Sequence, residues 1–209
     1  MNKFRIGERI GGGADNDVYQ DADNPDRVIA IRKHGKEDTV DRERKIKARF
    51  YLKKILHALF PKNIPDIDRA TSNPQATRRT KVKLDPLHEA IQKASEFEII
   101  SEPIPLKVQE KSDEASKRIE NDPKFKQLLN SLKDIGVEID STVCNFTYTE
   151  NGDAIVYLDD IHFEDADWET ENPRGFDEEK LGEAIMNIQD ESTRERTLRF
   201  FERLKALTL

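Results

Sequence analysis

Apolar residues fall into two patterns along the chain. The first third reads as strands: residues 4–10 and 18–33 flank a glycine loop, and Arg27 to Lys33 reads as a strand with successive side chains on opposite faces. Glycines and acidic turn residues separate these runs, at Gly11-Gly12-Gly13 and at Asp23-Asn24-Pro25-Asp26. Helical spacing then takes over. Ile46, Phe50, Leu52, Ile55, Leu56 and Leu59 share one face, which predicts a long helix over 39–59 packed on the strands. Phe60-Pro61 stops it, a strand starts near Ile64, and Gln75 to Leu84 reads as another strand.

The remainder is mostly helical. Asp85-Pro86 offers an N-cap with proline in the first turn and opens a helix to about Phe97. Ser101 to Leu106, with two prolines, is an extended connector. Residues 108–121 form a polar, exposed helix. Asp122-Pro123 opens the next one, with Phe125, Leu128, Leu129, Leu132 and Ile135 buried and Gly136 as its stop. Phe146 to Leu158 reads as a hairpin turning at Asn151-Gly152, since both residues tolerate positive φ. An acidic loop with Trp168 follows. Asp177 begins a helix with Leu181, Ile185 and Ile188 on one side. Ser192-Thr193-Arg194-Glu195 reads as a capping box for a last helix, whose apolar face is Leu198, Phe201, Leu204 and Leu207.

With 209 residues, the chain has room for one domain or two small lobes. Charged residues make up 37% and the net charge is −7, which argues against general affinity for nucleic acid. A single cysteine, Cys144, excludes a disulfide framework and fits a reducing, cytoplasmic setting. No apolar run is long enough for a membrane span, and the four histidines lack the spacing of a zinc site. Basic residues crowd the long helix, from Arg42 to Lys54, while acidic ones crowd 159–171. Each run reads as a solvated face.

The candidate chemistry gathers around the hairpin. Its closure brings Asn145 toward Asp159, an amide and a carboxylate suited to a hard cation such as Mg²⁺. Asp140 stands five residues before Asn145. The spacing D-x-x-x-x-N, then a hairpin, then Asp resembles the catalytic and metal-binding segments of the protein-kinase-like superfamily. Three further stretches resemble it in the same order. Gly11, Gly13 and Val18 match G-x-G-x-x-G-x-V, with Asn16 in the third glycine's place. Ile29-Ala30-Ile31-Arg32 is similar to the strand V-A-I-K, and the long helix leaves through Asn63-Ile64-Pro65. Departures are visible too. Glu138-Ile139 replaces His-Arg, Asp159-Asp160-Ile161 replaces Asp-Phe-Gly, and Glu43 is the helix's only candidate partner for a strand cation.

The resemblance covers about residues 4–161 and implies an α+β, two-lobed kinase-like fold. The β-rich N-lobe would span 1–84, and a reduced helical C-lobe 85–209. It implies an ATP- and Mg²⁺-dependent phosphotransferase acting on an acceptor that the sequence does not name. Asp140 would be catalytic, and Gly11, Gly12, Gly13 and Arg32 or Lys33 would hold the nucleotide. Asn145 and Asp159 would hold the metal. The alternatives are an inactive kinase-like binding module and a charged helical adaptor without a nucleotide site. Cys144 as a nucleophile is a remote further reading, because no histidine neighbours it in sequence.

Overall fold

The computed structural model describes residues 4–12, 16–33, 39–69, 76–82, 86–99, 102–149, 151–159 and 176–208. Strands β1 (Ile6–Gly12), β2 (Asn16–Asp21) and β3 (Arg27–Arg32) run first, then helix α1 (Thr39–Leu59) and strands β4 (Ile67–Arg69) and β5 (Ala76–Thr80). Helices α2 (Pro86–Ile99), α3 (Leu106–Asn121) and α4 (Pro123–Asp134) follow. A 3₁₀ turn at Val143–Asn145 leads into the hairpin β6 (Phe146–Tyr148) and β7 (Ile155–Tyr157), and α5 (Glu178–Met186) and α6 (Glu191–Thr208) close the order. The molecule is α+β, with two antiparallel sheets among the described residues.

The larger sheet has the order β1-β2-β3-β5-β4, so β5 slots between β3 and β4 and pairs with both. Its register places Val18 opposite Ala30, and Ile29 opposite both Tyr19 and Arg78. The turn from β2 to β3 is held by side chains that mimic backbone: Asp21 Oδ1 accepts from the Asp23 amide and Asn24 Oδ1 from the Asp26 amide, each at 3.0 Å. Asp21 is itself buried and forks with Arg78, which also covers the Phe4 ring at 4.4 Å. Ile29 and Ala76 form a small core here, with Phe4, Tyr19 and Ile31 packed against it.

Helix α1 spans the range its periodicity predicts, and Leu52, Ile55 and Leu56 are fully buried on the expected face. What they meet differs from the expectation. They join the main core with α4, β6, β7, α5 and α6, and the most extensive contact of α1 is with α6 and not with the sheet. Side-chain size accounts for this. The sheet's apolar cluster is small, whereas α6 offers Phe201 and Leu204, and Phe200 stacks on Tyr51 at 6.1 Å.

The later helices start and stop at their sequence signals, but α3 is not the exposed helix expected over 108–121: Ser112, Ala115 and Ile119 are buried, the last two in the main core. Asp122 caps α4 by accepting from the Lys124 amide at 2.7 Å, and Asp177 caps α5 through the amides of Glu179 and Lys180. Gly136 ends α4 at φ 73°, where its carbonyl accepts from the Asp177 amide at 2.7 Å. The cap of α6 differs from expectation. Asp190, not Ser192, begins the helix, accepting from the Thr193 amide at 2.7 Å. A carboxylate facing a helix N-terminus is favoured by charge as well as geometry, which explains the earlier start. Trp168 and the acidic residues 164–171 lie outside the described residues. Among the described residues, no helix is long and apolar enough to cross a membrane.

Candidate functional site

Strands β1 and β2 approach the glycine turn in register, Gly11 opposite Val18 and Gly12 opposite Asp17. Gly13 lies outside the described residues. The two described glycines differ. A Cβ on Gly11 would point into open space, while one on Gly12 would crowd Arg9 Nη2, Asn16 O and Asp17 Oδ1, each at 2.9 Å. The backbone at Gly11 is therefore approachable, and Gly12 fits only without a side chain.

The strand cations separate by contact. Lys33 is exposed, and its Nζ lies 3.8 Å from Asp17 Oδ1, which also takes Arg9 at 2.9 Å. Asp17 pairs with Ile31, so Lys33 leans along the side of β3 that carries Ile31. Arg32 pairs with Asn16 through the ladder and stands two residues beyond Ala30; its side chain lies outside the described residues, as does that of Glu43.

The Asp140 segment is an exposed loop whose carboxylate is turned back on its own chain. Asp140 Oδ1 accepts from both the amide and the hydroxyl of Thr142. Thr142 O then accepts from the Asn145 amide at 2.9 Å. The hairpin pairs Phe146 with Tyr157 and Tyr148 with Ile155, and turns through Gly152 at φ 64°. Beyond the ladder the Leu158 amide donates to Asn145 O at 2.7 Å, so Asn145 lies opposite Leu158 and Asp159 is the next residue along. Asp160 lies outside the described residues.

Three side chains from earlier in the chain hold the strand that carries Asp159. Asn63 Nδ2 donates to Ile155 O at 2.7 Å, and Asn63 O accepts from the Tyr157 amide at 2.8 Å. Arg79 Nη1, from β5, reaches Leu158 O at 3.4 Å. Lys53 Nζ, from α1, donates to Asp159 O at 2.7 Å, and Lys53 is 1% exposed. Sequence reasoning missed Lys53 by placing it in a solvated basic run. Arg49, one turn earlier, is buried as well. The available signal was spacing: both sit among Leu52, Ile55 and Leu56 and not opposite them.

The hairpin is anchored from below by Tyr148, whose hydroxyl donates to Asp122 Oδ2 at 2.9 Å. Burial, and then the bond and charge of Asp122, push its hydroxyl up to about 12, against the weaker opposing pull of Arg118 over the ring at 4.6 Å. Phe146 is fully buried, edge-on to Phe125 at 4.8 Å and tilted on Tyr157 at 5.1 Å. Cys144 is half-buried, with Sγ 3.7 Å from Asn145 Oδ1.

A magnesium ion held here would bring most of its own ligands. Asn145 and Asp159 each carry an oxygen of the hard type that Mg²⁺ takes, ordinarily one or two from protein with the rest from water and phosphate, and the Asn145 oxygen lies 3.7 Å from Cys144 Sγ. Among the described residues, no group of three or more His, Cys, Asp or Glu side chains gathers as an all-protein cage would require. The ladder carries the approachable Gly11 across to Val18 and on to Ala30, which is 1% exposed.

Comparison of the chain with protein-family models gives no match. Comparison with curated proteins gives none either.

Proposed function

We propose that the protein is an ATP- and Mg²⁺-dependent phosphotransferase with a kinase-like, two-lobed arrangement, acting on a hydroxyl acceptor. One observation supports the reading: the Leu158 amide donates to Asn145 O at 2.7 Å, which closes the chain between Asn145 and Asp159 into one hairpin, with Asp140 five residues upstream of Asn145 on an exposed loop. The five-stranded antiparallel sheet supports it, with its glycine turn at one end and a long helix between β3 and β4.

In this reading the turn at Gly11–Gly13 covers the phosphates, and Val18 and Ala30 flank the base. Arg32 takes the phosphate oxygens, which a planar guanidinium meets in pairs, while Lys33 leans on Asp17. Asn145 and Asp159 hold the metal. Mg²⁺, when bound, offsets the charge on the phosphate oxygens. Asp140 orients the acceptor hydroxyl and receives its proton. The protein's part is positioning and charge, as phosphoryl transfer requires.

A second reading, an inactive nucleotide-binding module, is favoured by the buried Arg49 and Lys53 on α1, where kinase-like proteins carry an acidic partner for a strand cation. One series separates the readings. Thermal shift with ATP, with and without Mg²⁺, is measured on wild type, Asp159→Asn and Asp140→Asn. Saturation at a hundredfold over Kd raises stability by about 2.7 kcal/mol. We expect Asp159→Asn to lose the Mg²⁺-dependent part, and Asp140→Asn to keep binding and lose turnover. Binding without turnover in wild type supports the module. Absence of any shift with nucleoside triphosphates overturns both and favours the adaptor.

A further inference from the structure

We propose that Lys53 is a positioning residue that sets Asp159 in place through the main chain, so that α1 and the metal-binding segment move as one body. The strut stands on geometry alone; its consequence for metal rests on the reading of Asp159 given above.

The β6–β7 ladder ends at the Phe146–Tyr157 pair. Past it, the chain is placed by donors reaching in from elsewhere. The Leu158 amide meets Asn145 O at 2.7 Å, Arg79 Nη1 meets Leu158 O at 3.4 Å, and Lys53 Nζ meets Asp159 O at 2.7 Å. The Lys53 contact is short, charged and buried, so it is the strongest of the three at this end of the strand. Its base is firm as well. Leu52, Ile55 and Leu56 surround it on α1 at 0% exposure, and a helix packed on that face does not rotate independently of the core. A charged hydrogen bond made at 1% exposure is screened little by water, so moving the Asp159 carbonyl away from Lys53 loses a strong contact. The bond goes to the Asp159 carbonyl, so it acts on the main chain at that residue. A lysine in this place therefore fixes the main chain from which the carboxylate starts.

The test uses the full chain and two variants, Lys53→Met and Lys53→Arg. Methionine keeps the buried alkyl stem and removes the donor; arginine keeps charge and donors. Amide exchange is read without any ligand. The Leu158 amide should exchange at least about tenfold faster in Lys53→Met, the loss expected for a charged hydrogen bond. The Thr149 amide, bonded to Ala154 O at the far end of the hairpin, should stay within about twofold, as should amides of 52–56, which also reports that the variant is folded. Lys53→Arg should return Leu158 to within about threefold of wild type. Equal Leu158 exchange in wild type and Lys53→Met overturns the strut, and so does an arginine variant as fast as the methionine one. Titration of Mg²⁺ at fixed ATP then reads the consequence: at least about tenfold more Mg²⁺ for half-saturation in Lys53→Met, with Mg²⁺-free ATP affinity unchanged. An unchanged Mg²⁺ requirement overturns the control of the metal site. Wild type that binds no ATP overturns the functional reading, and the exchange result still decides the strut.

Discussion

Asp122 joins three parts of the molecule, and its removal has a calculable effect. It ends α3, caps α4 through Oδ1 and the Lys124 amide, and accepts from the buried Tyr148 hydroxyl through Oδ2. Asp122→Ala removes both bonds. Loss of an aspartate cap costs about 1 kcal/mol. A buried hydroxyl left without its partner costs about 1–3 kcal/mol more. The sum, about 2–4 kcal/mol, corresponds to a fall in Tm of roughly 5–15 °C for a chain of this size. Asp122→Asn separates the contributions. The amide oxygen keeps the cap and the NH₂ group faces the tyrosine, so stability falls by about 1 kcal/mol or less. The phenol responds differently, because the Asp122 charge is gone while burial and the weaker opposing pull of Arg118 remain. Tyr148 should then titrate below about 12 while staying above its ordinary 10.0. Its folded value lies above the unfolded one, so its contribution is complete below about pH 10 and is lost as pH rises through about 12. Urea denaturation of the variants with Tyr148→Phe, as a double-mutant cycle, and tyrosinate absorbance against pH provide the measurements. Additive effects of Asp122→Ala and Tyr148→Phe, or a phenol that titrates identically in wild type and Asp122→Asn, would refute the reasoning.

Gly136→Ala should be among the most damaging single changes. The residue sits at φ 73°, and an added Cβ would overlap the Cβ of Asp177, so a loss of at least about 3 kcal/mol is expected in denaturant titration. Gly11→Ala should leave stability within about 0.5 kcal/mol and weaken ATP binding, because the new methyl projects into open space where the phosphates would lie; tighter or equal binding by calorimetry contradicts this. Burial raises the Asp66 carboxyl, but the Lys54 hydrogen bond at 2.8 Å and the charges of Lys54, His57 and Arg27 outweigh it and hold the group below 3.8. Its contribution is present above the unfolded value and lost as pH falls through the folded one. The stability gap between wild type and Asp66→Asn, on the order of 1 kcal/mol at pH 7, should therefore close below about pH 4.

The sequence by itself determined most of the local structure. Helical spacing at 39–59 and 123–134, the proline and aspartate starts at 122 and 177, and the stop at Gly136 all act within a few residues of chain, so their physics is complete in the sequence. The hairpin from Phe146 to Tyr157, turning at Gly152, was legible for the same reason. Only the tertiary structure decided what each buried face meets. A periodic stripe states that α1 hides Leu52, Ile55 and Leu56, but not that α6 covers them. The place of β5 between β3 and β4 likewise depends on long-range pairing. Lys53 shows the limit most clearly. In sequence it is one cation in a basic run, and solvent is the natural destination for an ammonium. It is buried because a carbonyl 106 residues away, at Asp159, is brought within 2.7 Å, and no pattern along α1 encodes an acceptor that folding alone delivers.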